Sequence, residues 1–397
     1  MSRSNAAAAL LFRRKGDGST LNLDFTAMSS LDSRFTFSRS EATVKATYIN
    51  SSGYVTQVAT LGDPRFDYDP TTLAAKGLLI EGSATNYLLR STTCAGTGWS
   101  TGGAVTITNA YATGPDGVAN SATRFQMNYS GGGTGRIYQD SGFTTKPYTN
   151  SVWIKSNTGS NQTLAIYNTT GTQVSITATP SWQRFENVNT TGTSLAGYFY
   201  LENPSTNPAV VVDVLVYGAQ LEAGKGASSY IPTVASQVIR AADICTFALT
   251  PANIGLTTSP IGTCFYQATA NYLPASGYPT IVGFFDSGNN PKAWLSQMSA
   301  DGNNYSSWKT TTGTVADVTF SAAIVPKTSF KFASSISSTQ NLASRNGTAG
   351  TAGAVSSAVL SVPTQINFGY TIENITIANF KFFPTTKSQA ELNALTT

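Results

Sequence analysis

Ser151-Val152-Trp153-Ile154-Lys155 is followed by Thr163-Leu164-Ala165-Ile166-Tyr167, then by Trp182-Gln183-Arg184-Phe185 and Tyr198-Phe199-Tyr200-Leu201. Each run is short, rich in β-branched or aromatic residues, and bounded by Gly, Asn, Ser, Thr or Pro, which is the pattern of strands joined by turns. Val105-Thr106-Ile107-Thr108 and Arg136-Ile137-Tyr138-Gln139 extend the series upstream, and Val210 to Val216 closes it downstream. Even spacing of this kind predicts an antiparallel sandwich over residues 91–224.

Outward from that core the same grammar continues. Gly262-Thr263-Cys264-Phe265-Tyr266-Gln267-Ala268, Thr280-Ile281-Val282-Gly283-Phe284-Phe285, Ser329-Phe330-Lys331-Phe332 and Gln365-Ile366-Asn367-Phe368-Gly369 predict a second sandwich over 243–397. Residues 225–242 are small, polar and broken by Pro232, and they read as a linker. Residues 1–90 read as an N-terminal arm followed by short strands and turns, and the family resemblance given below implies an adaptor or attachment region there. Asn5 to Lys15 is a short helix candidate that Gly16 ends. Thr47-Tyr48-Ile49 and Tyr54-Val55-Thr56-Gln57-Val58 flank a Gly-containing turn and predict a hairpin. Near the end, Ser388 with Glu391 three residues on has capping-box spacing. The fold class expected is therefore mostly β: two antiparallel jelly-roll or β-sandwich domains preceded by a small N-terminal adaptor with a short helix.

Only 11% of the 397 residues are charged, against 41% hydrophobic, and the formal net charge is +4. Charge this sparse gives little protection against association, so an assembled protein is expected. It also excludes a clustered basic face for nucleic acid, since Arg13-Arg14-Lys15 is the one basic run. No apolar run is long enough to cross a bilayer, and no secretion signal is read at the start. Cys94, Cys245 and Cys264 stand apart without CxxC spacing, which argues against zinc and for buried thiols; the spacing leaves a Cys245–Cys264 pairing open.

The chain has no histidine, which removes Ser-His-Asp and Cys-His triads and most transition-metal sites. No enzyme activity and no cofactor are expected. A structural Ca²⁺ is the one ion considered, with Asp67 and Asp69 as the nearest acidic pair and Asp213 or Glu222 as further candidates; turn capping beside Pro70 is the simpler role for the pair. Ser130-Gly131-Gly132-Gly133-Thr134-Gly135 lacks a following Lys-Ser/Thr and is no phosphate loop. Glycan binding is the chemistry the composition suits, because sugar C–H faces stack on aromatic rings and sugar hydroxyls pair with Asn, Gln and Asp. The candidate platforms are Trp99, Tyr129, Tyr138 and Trp153 in the first sandwich, and Trp294, Tyr305 and Trp308 in the second. Core packing competes for each of them.

Scattered segments carry a resemblance. They are Leu23-Asp24-Phe25-Thr26, Ser33-Arg34-Phe35-Thr36-Phe37-Ser38-Arg39, Pro64-Arg65-Phe66-Asp67-Tyr68-Asp69-Pro70, Tyr217-Gly218-Ala219-Gln220-Leu221-Glu222-Ala223-Gly224, Ser229-Tyr230-Ile231-Pro232-Thr233 and Arg240-Ala241-Ala242-Asp243. Together they resemble tailed-bacteriophage virion proteins of the fibre, tail or capsid-decoration type with carbohydrate-binding-module-like jelly rolls. The run from Ile375 to Pro384 and the Ser388 helix resemble the end of a concanavalin-A-like (laminin-G-like) sandwich. The resemblance implies a structural protein made in the host bacterial cytoplasm and carried in the virion. It implies a symmetric homo-oligomer, a trimer in the favoured form, attached to other virion proteins through the N-terminal region. Host-surface glycan is then a further partner, while nucleic acid and membrane insertion are not expected. The alternatives are a polysaccharide-degrading tailspike and a non-viral secreted lectin or adhesin.

Overall fold

In a computed structural model, the structure describes residues 17–41, 46–142, 147–167, 173–189, 197–249, 262–310, 313–337, 340–352, 363–371 and 374–397. The helix expected over Asn5 to Lys15 lies outside them. Antiparallel strands dominate, and the helix Gln389–Thr396 follows Ser388, whose side chain and that of Glu391 close the expected capping box.

The chain forms two compact units; the division expected at 90 and 224 is not observed, whereas the last segment, expected from 243, begins at 242. The first unit comprises 1–40, 62–82 and 242–397; the second comprises 41–61 and 83–241. The N-terminal region is thus divided between both sandwiches instead of forming an adaptor of its own. The reason is visible in the pairing. Leu21–Asp24 and Ala75–Glu81 both add to the long strand Asn374–Phe383, and Phe35–Ser38 adds to Ile244–Ala248. Short strands of this kind cannot bury a face alone, and they do so on sheets contributed from the other end of the chain.

In the first unit, one sheet runs in the order 348–349, 341–345, 329–336, 262–270, 374–383, 75–81, 65–68. The facing sheet runs 35–38, 244–248, 365–370, 280–285, 291–298, 304–310, 313–319, 351–352. Leu78, Ile80, Tyr266, Phe332, Ile377 and Phe380 from one sheet meet Phe247, Phe284, Trp294 and Phe368 from the other in a single core. The hydroxyl of the buried Tyr266 is satisfied by Ser296 Oγ at 2.7 Å, and Trp294 Nε1 donates to Ser306 Oγ at 2.9 Å.

A charge network is sealed inside this unit. Asp243 accepts from Arg39 Nη1 at 2.9 Å, Arg65 Nη2 at 2.5 Å and the Glu81 backbone N–H at 2.8 Å. Arg65 Nη1 also donates to Glu81 at 2.5 Å, and Asn374 donates to the other Glu81 oxygen at 2.9 Å. The side chains of Arg39, Arg65, Glu81 and Asp243 are 0% exposed. Three of the scattered segments, those holding Arg39, Arg65 and Asp243, therefore meet at one point, where burial makes each charge dependent on its partners.

The second unit packs the sheet 183–189, 148–156, 212–223, 122–128, 104–112 against the sheet 173–178, 162–167, 198–202, 136–140, 100–102. The expected hairpin is present as Thr47–Ile49 with Val55–Gln57, and belongs to this unit. The expected linker does not exist as such. Ala227, Ser228, Tyr230 and Ile231 are buried, and Val238–Arg240 pairs with Ala84–Asn86. Gln220 holds this segment by accepting from Ile231 N–H at 2.7 Å, and Glu222 by accepting from Ser228 N–H at 2.8 Å. Gly218 has φ +67°, with the Tyr230 ring 3.3 Å from where a Cβ would stand, so glycine is required twice over there.

Candidate functional site

Strand Arg136–Asp140 alternates Ile137 and Gln139 inward with Arg136, Tyr138 and Asp140 outward. Its neighbour Tyr198–Glu202 turns Phe199 and Leu201 inward and Tyr198, Tyr200 and Glu202 outward. The register sets Tyr138 opposite Tyr200, Arg136 opposite Glu202 and Asp140 opposite Tyr198. Directly opposed side chains on one face lie within reach of each other. The outcome is an aromatic cluster on the outside of the sandwich. The Tyr138 and Tyr200 rings stack at 4.9 Å between centroids and 16° between planes, and Tyr198 joins Tyr200 at 5.6 Å.

The Arg136 guanidinium stands 5.7 Å from the Tyr138 centroid and 6.0 Å from that of Tyr200, inside the range of cation–π attraction. Its position depends on the edge strand Ser100–Gly102. Gly102 lies opposite Arg136, and a Cβ there would come within 2.7 Å of Arg136 Nε. Ser100 lies opposite Tyr138, so a small side chain flanks the ring on that side. Tyr198 has its hydroxyl pKa raised by a hydrogen bond and charge repulsion from Asp140, whereas burial raises that of Tyr200. Both stay neutral phenols, able to donate and accept.

The arrangement offers aromatic surface, a guanidinium, two carboxylates and phenol hydroxyls on one face. Asp140 and Glu202 sit four register positions apart across the strand pair. At about 3.4 Å per residue that is a backbone offset of roughly 14 Å, beyond the roughly 5–9.5 Å that glycosidase carboxylate pairs require. The face gathers the kinds of group that contact sugars, and Asp140 and Glu202 are not spaced as a glycosidase pair.

Of the aromatic residues singled out in the sequence, Tyr138 lies in this cluster. Tyr129 is half-buried beside the Ser130–Gly133 turn, outside the stack. Trp99 packs edge-on to Phe199 at 5.6 Å and donates Nε1 to Leu89 O at 2.8 Å, anchoring the end of the edge strand. Trp153 and Trp294 are corrections. Trp153 is 5% exposed among Val55, Tyr217 and Tyr230, and Trp294 is 0% exposed, so neither presents a ring to a ligand. Both lie on strands with nearly every described position buried, where the face that alternation would leave open is covered. Tyr305 and Trp308 lie on the strand Asn304–Thr310, and their side chains are outside the described residues. Tyr200, Tyr198 and Arg136 were missed as site residues. The Tyr-x-Tyr alternation at 198–200 was the available signal, and only pairing with 136–140 turns it into a cluster.

The acidic candidates have other work. Asp69 caps a turn, accepting from Thr71 and Thr72 N–H at 2.9 and 2.8 Å, which holds its pKa below the usual range. Asp67 lies in the strand Arg65–Tyr68 and pairs with Lys76 at 3.2 Å. Asp213 makes a two-pronged pair with Arg124 at 2.9 and 2.6 Å. Glu222 is buried, and burial pushes its carboxyl up to about 7. Among the described residues no group of three or more His, Cys, Asp or Glu side chains could hold a metal ion. All three cysteines are buried and free, so Cys245 and Cys264 do not pair.

No protein-family model matches this sequence, and comparison with curated proteins finds no match. Partial likenesses exist among solved structures. The binding domain of botulinum neurotoxin DC, solved with rat synaptotagmin II, is 13% identical with a TM-score of 0.34, covering 39% of each chain. The CBM40 of Ruminococcus gnavus IT-sialidase bound to α2,3-sialyllactose is 14% identical with a TM-score of 0.32, over 38% of this chain and 92% of that one. Trypanosoma rangeli sialidase with the inhibitor DANA is 10% identical with a TM-score of 0.31, over 38% and 25%. The chain thus spans well under half of the toxin domain and of the parasite sialidase. The likeness is partial and concerns the β-sandwich alone.

Proposed function

We propose that this chain is a non-catalytic, carbohydrate-binding structural protein of a tailed-bacteriophage virion, adhering to host-surface glycan. The observation that carries the binding reading is the Tyr138–Tyr200 stack beside Arg136 on an outer sheet face. Aromatic clusters with a guanidinium and neighbouring carboxylates give a sugar both an apolar surface and directional hydrogen bonds. The roughly 14 Å offset of Asp140 and Glu202 favours binding over cleavage. The sparse charge of the chain supports life in an assembly. The virion assignment rests on the resemblance of the scattered sequence segments, as do the homotrimer and the attachment to other virion proteins.

Two measurements test this. On an array of bacterial surface glycans the chain is retained, and Tyr138→Ala with Tyr200→Ala abolishes retention while the protein keeps its melting temperature. Retention unchanged in the double variant, or release of reducing ends by the wild type, refutes the binding reading. Mass spectrometry of washed particles finds the chain at fixed copy number; its absence there refutes the virion reading.

A further inference from the structure

Arg345 ends the strand Asn341–Arg345 of the first unit and is 6% exposed. Its Nη2 donates to the Ala322 carbonyl, and its guanidinium carbon lies 5.0 Å from the centre of the Phe320 ring. Nη1 is buried with no hydrogen-bond partner, and no carboxylate among the described residues pairs with the side chain. Among the described residues, the other buried guanidinium groups of this unit, those of Arg39 and Arg65, are matched by Asp243 or Glu81. A buried cation without a counter-charge is costly, and a protein retains one where something else supplies the anion.

The space beside Arg345 has the form of a site. A cleft of about 200 Å³ opens there, below the size of pockets for drug-like ligands and suited to one small unit. Phe320, Ile324, Val325 and Phe330 give it an apolar wall, while Ser321, Thr328, Ser329 and Thr348 supply hydroxyls. Among the described residues, no second charged side chain lines it. One guanidinium therefore matches one negative charge, and a dianion would bring a charge with nothing to meet it. The unpartnered Nη1 lacks one acceptor, and a carboxylate oxygen supplies a charge-assisted one. Burial also lowers the pKa of Arg345, the direction expected for a cation waiting for its counter-ion.

We propose that this cleft binds a small monocarboxylate of single-sugar size, of the uronic-acid type, with its carboxylate on Arg345 and a C–H face against Phe320. This site is separate in residues and in unit from the Tyr138–Tyr200 face, so the failure of either leaves the other standing.

The test titrates the full-length chain with glucuronate, glucose and inorganic sulfate, read by saturation-transfer NMR. Glucuronate binds more tightly than glucose and sulfate. Arg345→Gln weakens glucuronate by roughly 10- to 100-fold and leaves the response to glucose unchanged. Ala349→Phe, which puts a ring at the exposed rim of the cleft without touching the charge, also blocks glucuronate. Arg345→Met, with no ligand present, melts at or above the wild-type temperature, because it removes an unmatched charge. Sulfate binding as tight as glucuronate, glucuronate binding unaffected by either the Gln or the Phe variant, or no glucuronate binding at all would overturn the proposal. So would a Met or Gln variant that fails to fold, since Arg345 would then be a structural residue.

Discussion

Asp243 is the residue on which the first unit most depends. Asp243→Ala deletes two charge-assisted hydrogen bonds, from Arg39 at 2.9 Å and Arg65 at 2.5 Å, and the acceptor for the Glu81 N–H at 2.8 Å. Hydrogen bonds to charged groups are worth about 1.5–3 kcal/mol each, so the two guanidinium contacts alone account for about 3–6 kcal/mol. Breaking one side of a buried ion pair costs about 3–5 kcal/mol by a separate line of evidence, and the two figures agree. Against a domain stability of about 5–15 kcal/mol this is a large fraction. Arg65 has its pKa raised, with burial opposed by Asp243 and Glu81, which is the same dependence seen from the cation. The assay is hydrogen exchange of peptides from Ile244–Ala248 and Asn374–Phe383, two strands of this unit. A loss of 3–5 kcal/mol speeds exchange through global opening by roughly 100- to 3,000-fold. Lys381→Ala is the control. It breaks a pair with Asp17 whose side chains are 26% and 33% exposed, and such pairs contribute about 1 kcal/mol or less. If Asp243→Ala accelerated exchange no more than Lys381→Ala does, the view of this network as the structural lock of the unit would be wrong.

The remaining predictions concern pH, thiols and the aromatic face. Burial raises Glu222 to about 7 from an ordinary 4.5, so the stability tied to its protonated form is full below pH 4.5 and is lost as pH rises through about 7. That amounts to a swing of about 3 kcal/mol. Glu222→Gln therefore melts higher than wild type at pH 8 and equally at pH 5, and identical pH profiles for the two proteins would count against it. Cys94 is pushed up to about 12 by burial, and burial also raises Cys245 and Cys264. All three stay unmodified by a thiol reagent at pH 8 until denaturant is added; rapid labelling of the native chain would contradict their placement. Gly102→Ala moves Arg136 away from the two tyrosines and weakens glycan retention by about tenfold, comparable to the upper worth of a cation–π contact. Retention at wild-type strength would remove Arg136 from the site.

The sequence by itself determined the class of fold and the chemistry available to it. Alternation at 136–140 and 198–202 writes a strand with one face inside, whatever the partner, and the Ser388–Glu391 spacing writes a helix start, because both depend on neighbours a few residues away. The lack of histidine removed the histidine-dependent triads in the same local way. Tertiary structure decided which strands meet. Arg39, Arg65, Glu81 and Asp243 lie up to 204 positions apart in the chain, and nothing in their local sequence says that they share one buried network. The same holds for the N-terminal strands, which looked like an adaptor because each is too short to bury a face. Only their pairing with Asn374–Phe383 and Ile244–Ala248 shows where the strands at 21–24, 75–81 and 35–38 go. It holds for the site as well: Tyr138 and Tyr200 become a stacked pair through strand register, a non-local quantity that periodicity cannot supply. Conversely, Trp153 and Trp294 stood among the candidate platforms in sequence, and their burial in the fold removes them.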